Sequence, residues 1–145
     1  MIELLALAMS PSVQADETAP VLEAIARLSE SSETDGGGPD VYAGSLCPGF
    51  TRWTPGSDET SDKNSWLDGV RGWWDEGWRV SERETEWIQV TLSGKHAFVR
   101  RNVAETYTGP DGEESSSRSA LVETWSLQSG GWCLLHANGL ALPAE

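Results

Sequence analysis

The stretch Glu123 to Gly139, ETWSLQSGGWCLLHANG, alternates apolar with polar residues up to a Ser-Gly-Gly break, after which Trp132, Leu134 and His136 alternate with Cys133 and Leu135. A period of two interrupted by a glycine turn is the pattern of a β-hairpin, here with its turn at Gln128 to Gly131. The same pattern recurs upstream in Val90 to Arg101, VTLSGKHAFVRR, around Ser93-Gly94-Lys95-His96. Working outward, the period of two holds from Arg79 to Leu92, Ala97 to Tyr107, Ser119 to Leu127 and Trp132 to Leu142, with a polar loop at Gly109 to Ser117. Long strands in succession joined by hairpins predict an antiparallel sheet.

Ahead of these strands the period changes to that of a helix. Ser65 to Glu76 places Trp66, Leu67, Val70, Trp73 and Trp74 on one broad stripe, with Ser65 as N-cap, Asp68 near the positive end of the dipole and Gly77 as the stop. From Thr18, the residues Pro20, Val21, Leu22, Ile25 and Leu28 form a second apolar face, predicting a helix of about three turns with Thr18 as N-cap. Ser29 to Asp40, SESSETDGGGPD, is acidic and rich in glycine and predicts a flexible loop. Val41 to Leu46 has room for one helical turn before Cys47-Pro48-Gly49, and Phe50 to Thr54 reads as a short strand closed by Pro55-Gly56. Helices at the front and strands behind predict an α+β fold with the helices packed on one face of a curved antiparallel sheet of four to six strands.

The chain has 145 residues, enough for one domain, which is placed at residues 18–145. Residues 1–17 stand apart. Met1 to Ala15 joins a short apolar run, Leu4 to Met9, to Val13-Gln14-Ala15, and reads as a truncated secretory signal, an amphipathic helix or a flexible tail. The first of these would place the protein in the periplasm or outside the cell, the others in the cytoplasm. A formal net charge of −13 repels phosphate backbones and anionic lipid headgroups, which argues against nucleic-acid and membrane partners. Eight tryptophans and 38% hydrophobic residues demand a packed core. Cys47 and Cys133 match no metal-ligand spacing, so no metal or cofactor is expected; they either pair as a disulfide or lie as buried thiols.

The helix carrying Trp66 to Trp74 and the two hairpins resemble the nuclear transport factor 2-like superfamily, which includes SnoaL-like polyketide cyclases, ketosteroid isomerases and scytalone dehydratase. In such proteins a strand of the form apolar-x-x-Gly-x-x-Ala-apolar-apolar precedes a final hairpin with Ser-Gly-x-Trp and a following His. The resemblance runs from about Pro20 to Leu142. It implies a cystatin-like cone with a pocket between sheet and helices, and a homodimer formed through the outer face of the sheet. It implies no particular reaction. The first helix is shorter than is usual there, the Tyr plus Asp constellation of the isomerases has no match, and one His stands where the dehydratase pattern has two.

If Leu127 pairs with Trp132, the hairpin register sets Trp125 opposite Leu134 and Glu123 opposite His136, all on one sheet face. A carboxylate beside an imidazole on a tryptophan-lined face suits acid/base catalysis, because the carboxylate fixes the ring tautomer. The same pair also meets the needs of an ordinary cross-strand hydrogen bond. In the earlier hairpin the same arithmetic pairs Leu92 with Ala97, Val90 with Val99, Ile88 with Arg101 and Glu84 with Glu105. Arg101 is then placed to stabilise developing negative charge. Trp53, Trp74 and Trp125 are candidates for a pocket wall, and Trp66, Trp73 and Trp132 for the core. The expected function is therefore that of a SnoaL-like domain binding a small, mostly apolar molecule. The alternatives are an isomerase, dehydratase or cyclase using His136 and Glu123, and a non-catalytic dimeric interaction module.

Overall fold

A computed structural model describes the backbone of residues 2–144 and the side chains of residues 17–144. The reading of Met1 to Ala15 as a signal or tail turns on side chains outside those described. Three helices, α1 (Ile2–Ser31), α2 (Pro39–Gly44) and α3 (Lys63–Asp75), lie against one curved sheet. Its strands are β1 (Leu46–Trp53), β2 (Thr60–Asp62), β3 (Arg79–Ser93), β4 (His96–Thr108), β5 (Glu114–Gln128) and β6 (Gly131–Ala141), in the order β2-β1-β6-β5-β4-β3. All neighbours are antiparallel except β1 and β6, which run parallel. The α+β architecture, the four long strands and both hairpin turns are those the periodicities predict.

Helix α1 buries Val21, Ala24, Ile25 and Leu28, the spacing of one helical face, against Leu46, Phe50, Trp125 and Leu134 of the sheet. It is far longer than three turns, and Thr18 lies inside it rather than at its N-cap. Its last turn runs through Ser31, whose hydroxyl donates to the Leu28 carbonyl at 2.6 Å. The expected loop at residues 29–40 is instead pinned to β3. The Val80 N–H donates to the Ser32 carbonyl at 2.9 Å, and Glu33 bridges Val80. Gly36 sits so close to the Glu30 and Ser31 carbonyls that no side chain fits there.

Helix α3 starts earlier than Ser65. Asp62 is the N-cap, its carboxylate accepting the Ser65 N–H at 2.9 Å, and these hydrogen bonds hold its pKa below the usual carboxylate value. Gly77 ends the helix at a φ of 103°, as the sequence predicts. Of the tryptophan stripe only Leu67 is buried, because α3 roofs a cavity rather than a packed core.

The sheet is bent by extra residues, and these correct the expected registers. On β3, Ser81 and Ile88 have no partner on β4; on β6, Leu135 has none on β5. Up to each bulge the sequence pairing holds: Leu92 faces Ala97, Val90 faces Val99, Leu127 faces Trp132 and Trp125 faces Leu134. Beyond it every partner slips by one, so the expected pairs Ile88 with Arg101, Glu84 with Glu105 and Glu123 with His136 do not form. Trp87 faces Arg101, Arg83 faces Glu105, and Glu123 faces Ala137. Ala97, Val99, Arg101 and Val103 are buried, which settles which face of β4 points inward.

Cys47 and Cys133 form a disulfide between β1 and β6. Among the described residues, no helix is long and apolar enough to cross a membrane, and no cluster of His, Cys, Asp and Glu could hold a metal ion.

Candidate functional site

Between the concave face of the sheet and the helices lies a cavity of about 510 Å³. Sheet curvature opens it, and α3 covers it with Trp66, Gly69, Val70 and Trp73, which recur at one helical spacing. Phe50, Val103, Leu121, Leu134 and Ala137 form its apolar floor.

Charged groups enter this wall in pairs. Arg101 and Glu123 are inward-facing neighbours on β4 and β5, with exposures of 6% and 4%, and Arg101 Nη2 donates to Glu123 Oε2 at 3.1 Å. Trp125 Nε1 donates to the other carboxylate oxygen at 3.3 Å. Arg83 donates through Nε to Glu105 Oε2 at 2.8 Å and through Nη1 to Glu33 Oε2 at 2.7 Å. Tyr107 donates to Glu105 Oε1 at 2.9 Å and shares a 2.7 Å hydrogen bond with Ser117. Burial pushes the Tyr107 phenol up to about 12, and the nearby Glu105 carboxylate adds to that rise. Pairing is what keeps these carboxylates affordable inside an apolar wall.

A separate aromatic group sits on the β1 side. The Arg52 guanidinium lies 4.2 Å over the Trp66 ring, and Trp66 Nε1 donates to the Tyr42 hydroxyl at 2.9 Å. Burial raises the Tyr42 pKa, which keeps its hydroxyl protonated.

The structure brings together three of the residues singled out in the sequence. Arg101 and Glu123 line the cavity, and Trp125 lies fully buried behind them. The other three lie elsewhere. The Leu135 bulge turns His136 to the opposite face, where it is exposed and its Nδ1 is 2.8 Å from Thr51 Oγ1. Trp53 is half-exposed and donates to the Ser57 carbonyl at 2.8 Å. Trp74 packs under Arg79, whose guanidinium is 3.3 Å from the ring centre. Trp66 and Trp73, expected in the core, line the cavity instead, and Tyr42, Arg52, Arg83, Glu105 and Tyr107 join them. Strand parity carried the signal for Arg52: two residues from Phe50, it must share the inward face that Trp53 leaves.

No family model and no curated protein sequence matches the chain. Solved structures match it over most of its length. A scytalone dehydratase-like protein from Novosphingobium aromaticivorans superposes with a TM-score of 0.76 at 12% identity, covering 92% of this chain and 89% of that one. A ketosteroid isomerase-like protein from Erwinia carotovora atroseptica gives 0.66 at 17% identity, covering 88% and 98%. A protein of unknown function with a cystatin-like fold from Nostoc punctiforme gives 0.64 at 13%, covering 90% and 94%. Helices capping a bent six-stranded sheet, with this similarity over nearly the whole chain, give the protein a cystatin-like α+β fold.

Proposed function

We propose that the chain binds a small, mostly apolar molecule in the cavity beneath α3. The observation that carries this reading is the wall itself: an apolar floor and two indoles, into which a few polar groups converge. Gly69 offers a direct test, because nothing lies within 4 Å of where its Cβ would be. Gly69→Phe therefore adds at the cavity wall a side chain whose Cβ meets no neighbour, and removes a glycine from a helix interior. Trp66 and Trp73 make intrinsic fluorescence the readout. Wild type should give saturable quenching with members of a panel of steroid-like and polyketide-like compounds, and Gly69→Phe should lose it while melting no earlier. Absence of any saturable ligand in wild type would overturn the reading.

A catalytic version of the same site has an isomerase, dehydratase or cyclase in which Glu123 moves a proton and Arg101 steadies negative charge on a carbonyl oxygen. The convergence of these two side chains on the cavity favours it, whereas the position of His136 on the other sheet face gives that residue no path to the same ligand. Two copies of the chain would associate through the outer face of the sheet, where Phe98, Val122 and Leu140 are 44%, 44% and 46% exposed. Phe98→Glu would then shift the protein from dimer to monomer in size-exclusion chromatography with light scattering.

A further inference from the structure

The cavity holds more hydrogen-bond donors than the protein satisfies. Arg52 has no hydrogen bond and no ion pair among the described residues; its guanidinium is occupied only by the Trp66 ring. The Tyr42 hydroxyl accepts from Trp66 Nε1, and its own proton has no acceptor there. Among the described residues Arg101 uses Nη2 alone: Nη1 makes no hydrogen bond, and Nε is buried without a partner. A buried guanidinium with unused donors costs free energy unless an acceptor arrives.

The charges agree. Three arginines line the cavity, Arg52, Arg83 and Arg101, against two carboxylates, Glu105 and Glu123. Arg83 is tied to both Glu105 and Glu33, and Arg101 to Glu123, so Arg52 is the one of the three without a carboxylate partner among the described residues. Donors without acceptors and an arginine without a carboxylate ask for one anion. A planar carboxylate matches the guanidinium fork, and its single charge pairs that of Arg52 where a phosphate dianion would exceed it. The apolar floor of Phe50, Leu121 and Leu134 then takes the rest of the molecule.

We propose that the cavity's ligand is an apolar carboxylic acid, its carboxylate held by Arg52 and the Tyr42 hydroxyl beside Trp66, with Arg101 supplying further donors. This rests on the binding function proposed above and names its ligand class. Gly139 belongs to the same device. A Cβ there would collide with Arg52 Nη2, so the glycine makes room for the guanidinium.

The test uses 2-naphthoic acid and its neutral counterpart 2-naphthamide, titrated at neutral pH by isothermal calorimetry. Wild type should bind the acid at least about tenfold more tightly than the amide, the difference that charge-assisted hydrogen bonds make. Arg52→Gln should bring the two within about twofold, and Arg52→Lys should restore only part of the preference, because it keeps the charge without the fork. Gly139→Ala, which moves the guanidinium without removing it, should weaken the acid and leave the amide unchanged; it decides the matter if Arg52→Gln does not fold. Equal binding of acid and amide by wild type overturns the carboxylate assignment and leaves the cavity reading standing. Failure of both to bind overturns both readings. A preference that stays undiminished in Arg52→Gln or Gly139→Ala also overturns the assignment.

Discussion

Reducing the Cys47–Cys133 disulfide should loosen the strand that carries Arg52. The bond joins β1 to β6 beside the pair Leu46 with Leu134, and on β1 the ladder is interrupted from there to the pair Thr51 with His136. Pro48 lies in that gap and has no N–H to offer. The two cysteines are 86 residues apart in sequence, and the loop-closure relation for a ring of that size gives about 4.6 kcal/mol at 25 °C. Unfolding entropy of roughly 2.1 cal/mol/K per residue over 145 residues converts this to a fall in Tm of about 15 °C. Reduction of the wild type is the cleaner perturbation, because Cys47 is fully buried and Cys47→Ala would add a cavity cost of its own. Calorimetric scans with and without dithiothreitol, with thiol titration to show complete reduction, measure the shift. Acid binding should weaken in parallel, since Arg52 sits on the strand that the bond holds. A shift under about 3 °C with both thiols titrated would refute the reasoning, because β1 would then be held by its ladder and its packing alone.

Removing one member of the buried pair in the cavity wall should be expensive. Glu123→Leu strands the Arg101 guanidinium and should cost about 3–5 kcal/mol in urea denaturation, while Glu123→Leu with Arg101→Met should recover most of it. Both tyrosines are held neutral in the fold: Tyr107 is raised from 10.0 to about 12 and Tyr42 is raised by burial. A raised folded-state value means that the native protein keeps its proton longer than the unfolded chain. The contribution of Tyr107 is full below pH 10.0 and is lost as pH rises towards about 12. Tyrosinate absorbance should therefore stay low at pH 10 to 11 until the protein unfolds. In Tyr107→Phe, Tm should fall less steeply over that range.

The parts of the fold that local chemistry dictates were legible in the sequence. Turn glycines and period-two runs placed both hairpins, and the Val21, Ile25 and Leu28 spacing placed the buried face of α1. Register was legible only up to the first bulge. Leu135 and Ile88 look like ordinary strand residues, and nothing in their own chemistry marks them as supernumerary; the bend they create follows from how the sheet wraps the helices. Because the side-chain period is two, one extra residue reverses every face beyond it. That single rule moved His136 away from Glu123 and gave Glu105 an arginine in place of a second carboxylate. The parallel pairing of β1 with β6 was equally out of reach, since its partners are far apart in sequence and no turn connects them.

The same rule explains why the cavity's charges could have been found without the register. A strand residue two places from a buried apolar residue shares its face whatever its neighbour strand does, as long as no bulge intervenes. Phe50 therefore carries Arg52 inward, and Val99 and Val103 carry Arg101 between them. On α3 the faces follow from helical spacing, so Trp66, Val70 and Trp73 stand over the cavity while Trp74 turns away to Arg79. An arginine between inward apolar residues has to meet an anion. Arg101 and Arg83 meet glutamates supplied by neighbouring strands, and such partners are invisible until the sheet is assembled. Arg52 meets none among the described residues, and the difference between it and the other two is the physical reason to look for its counter-charge in a ligand.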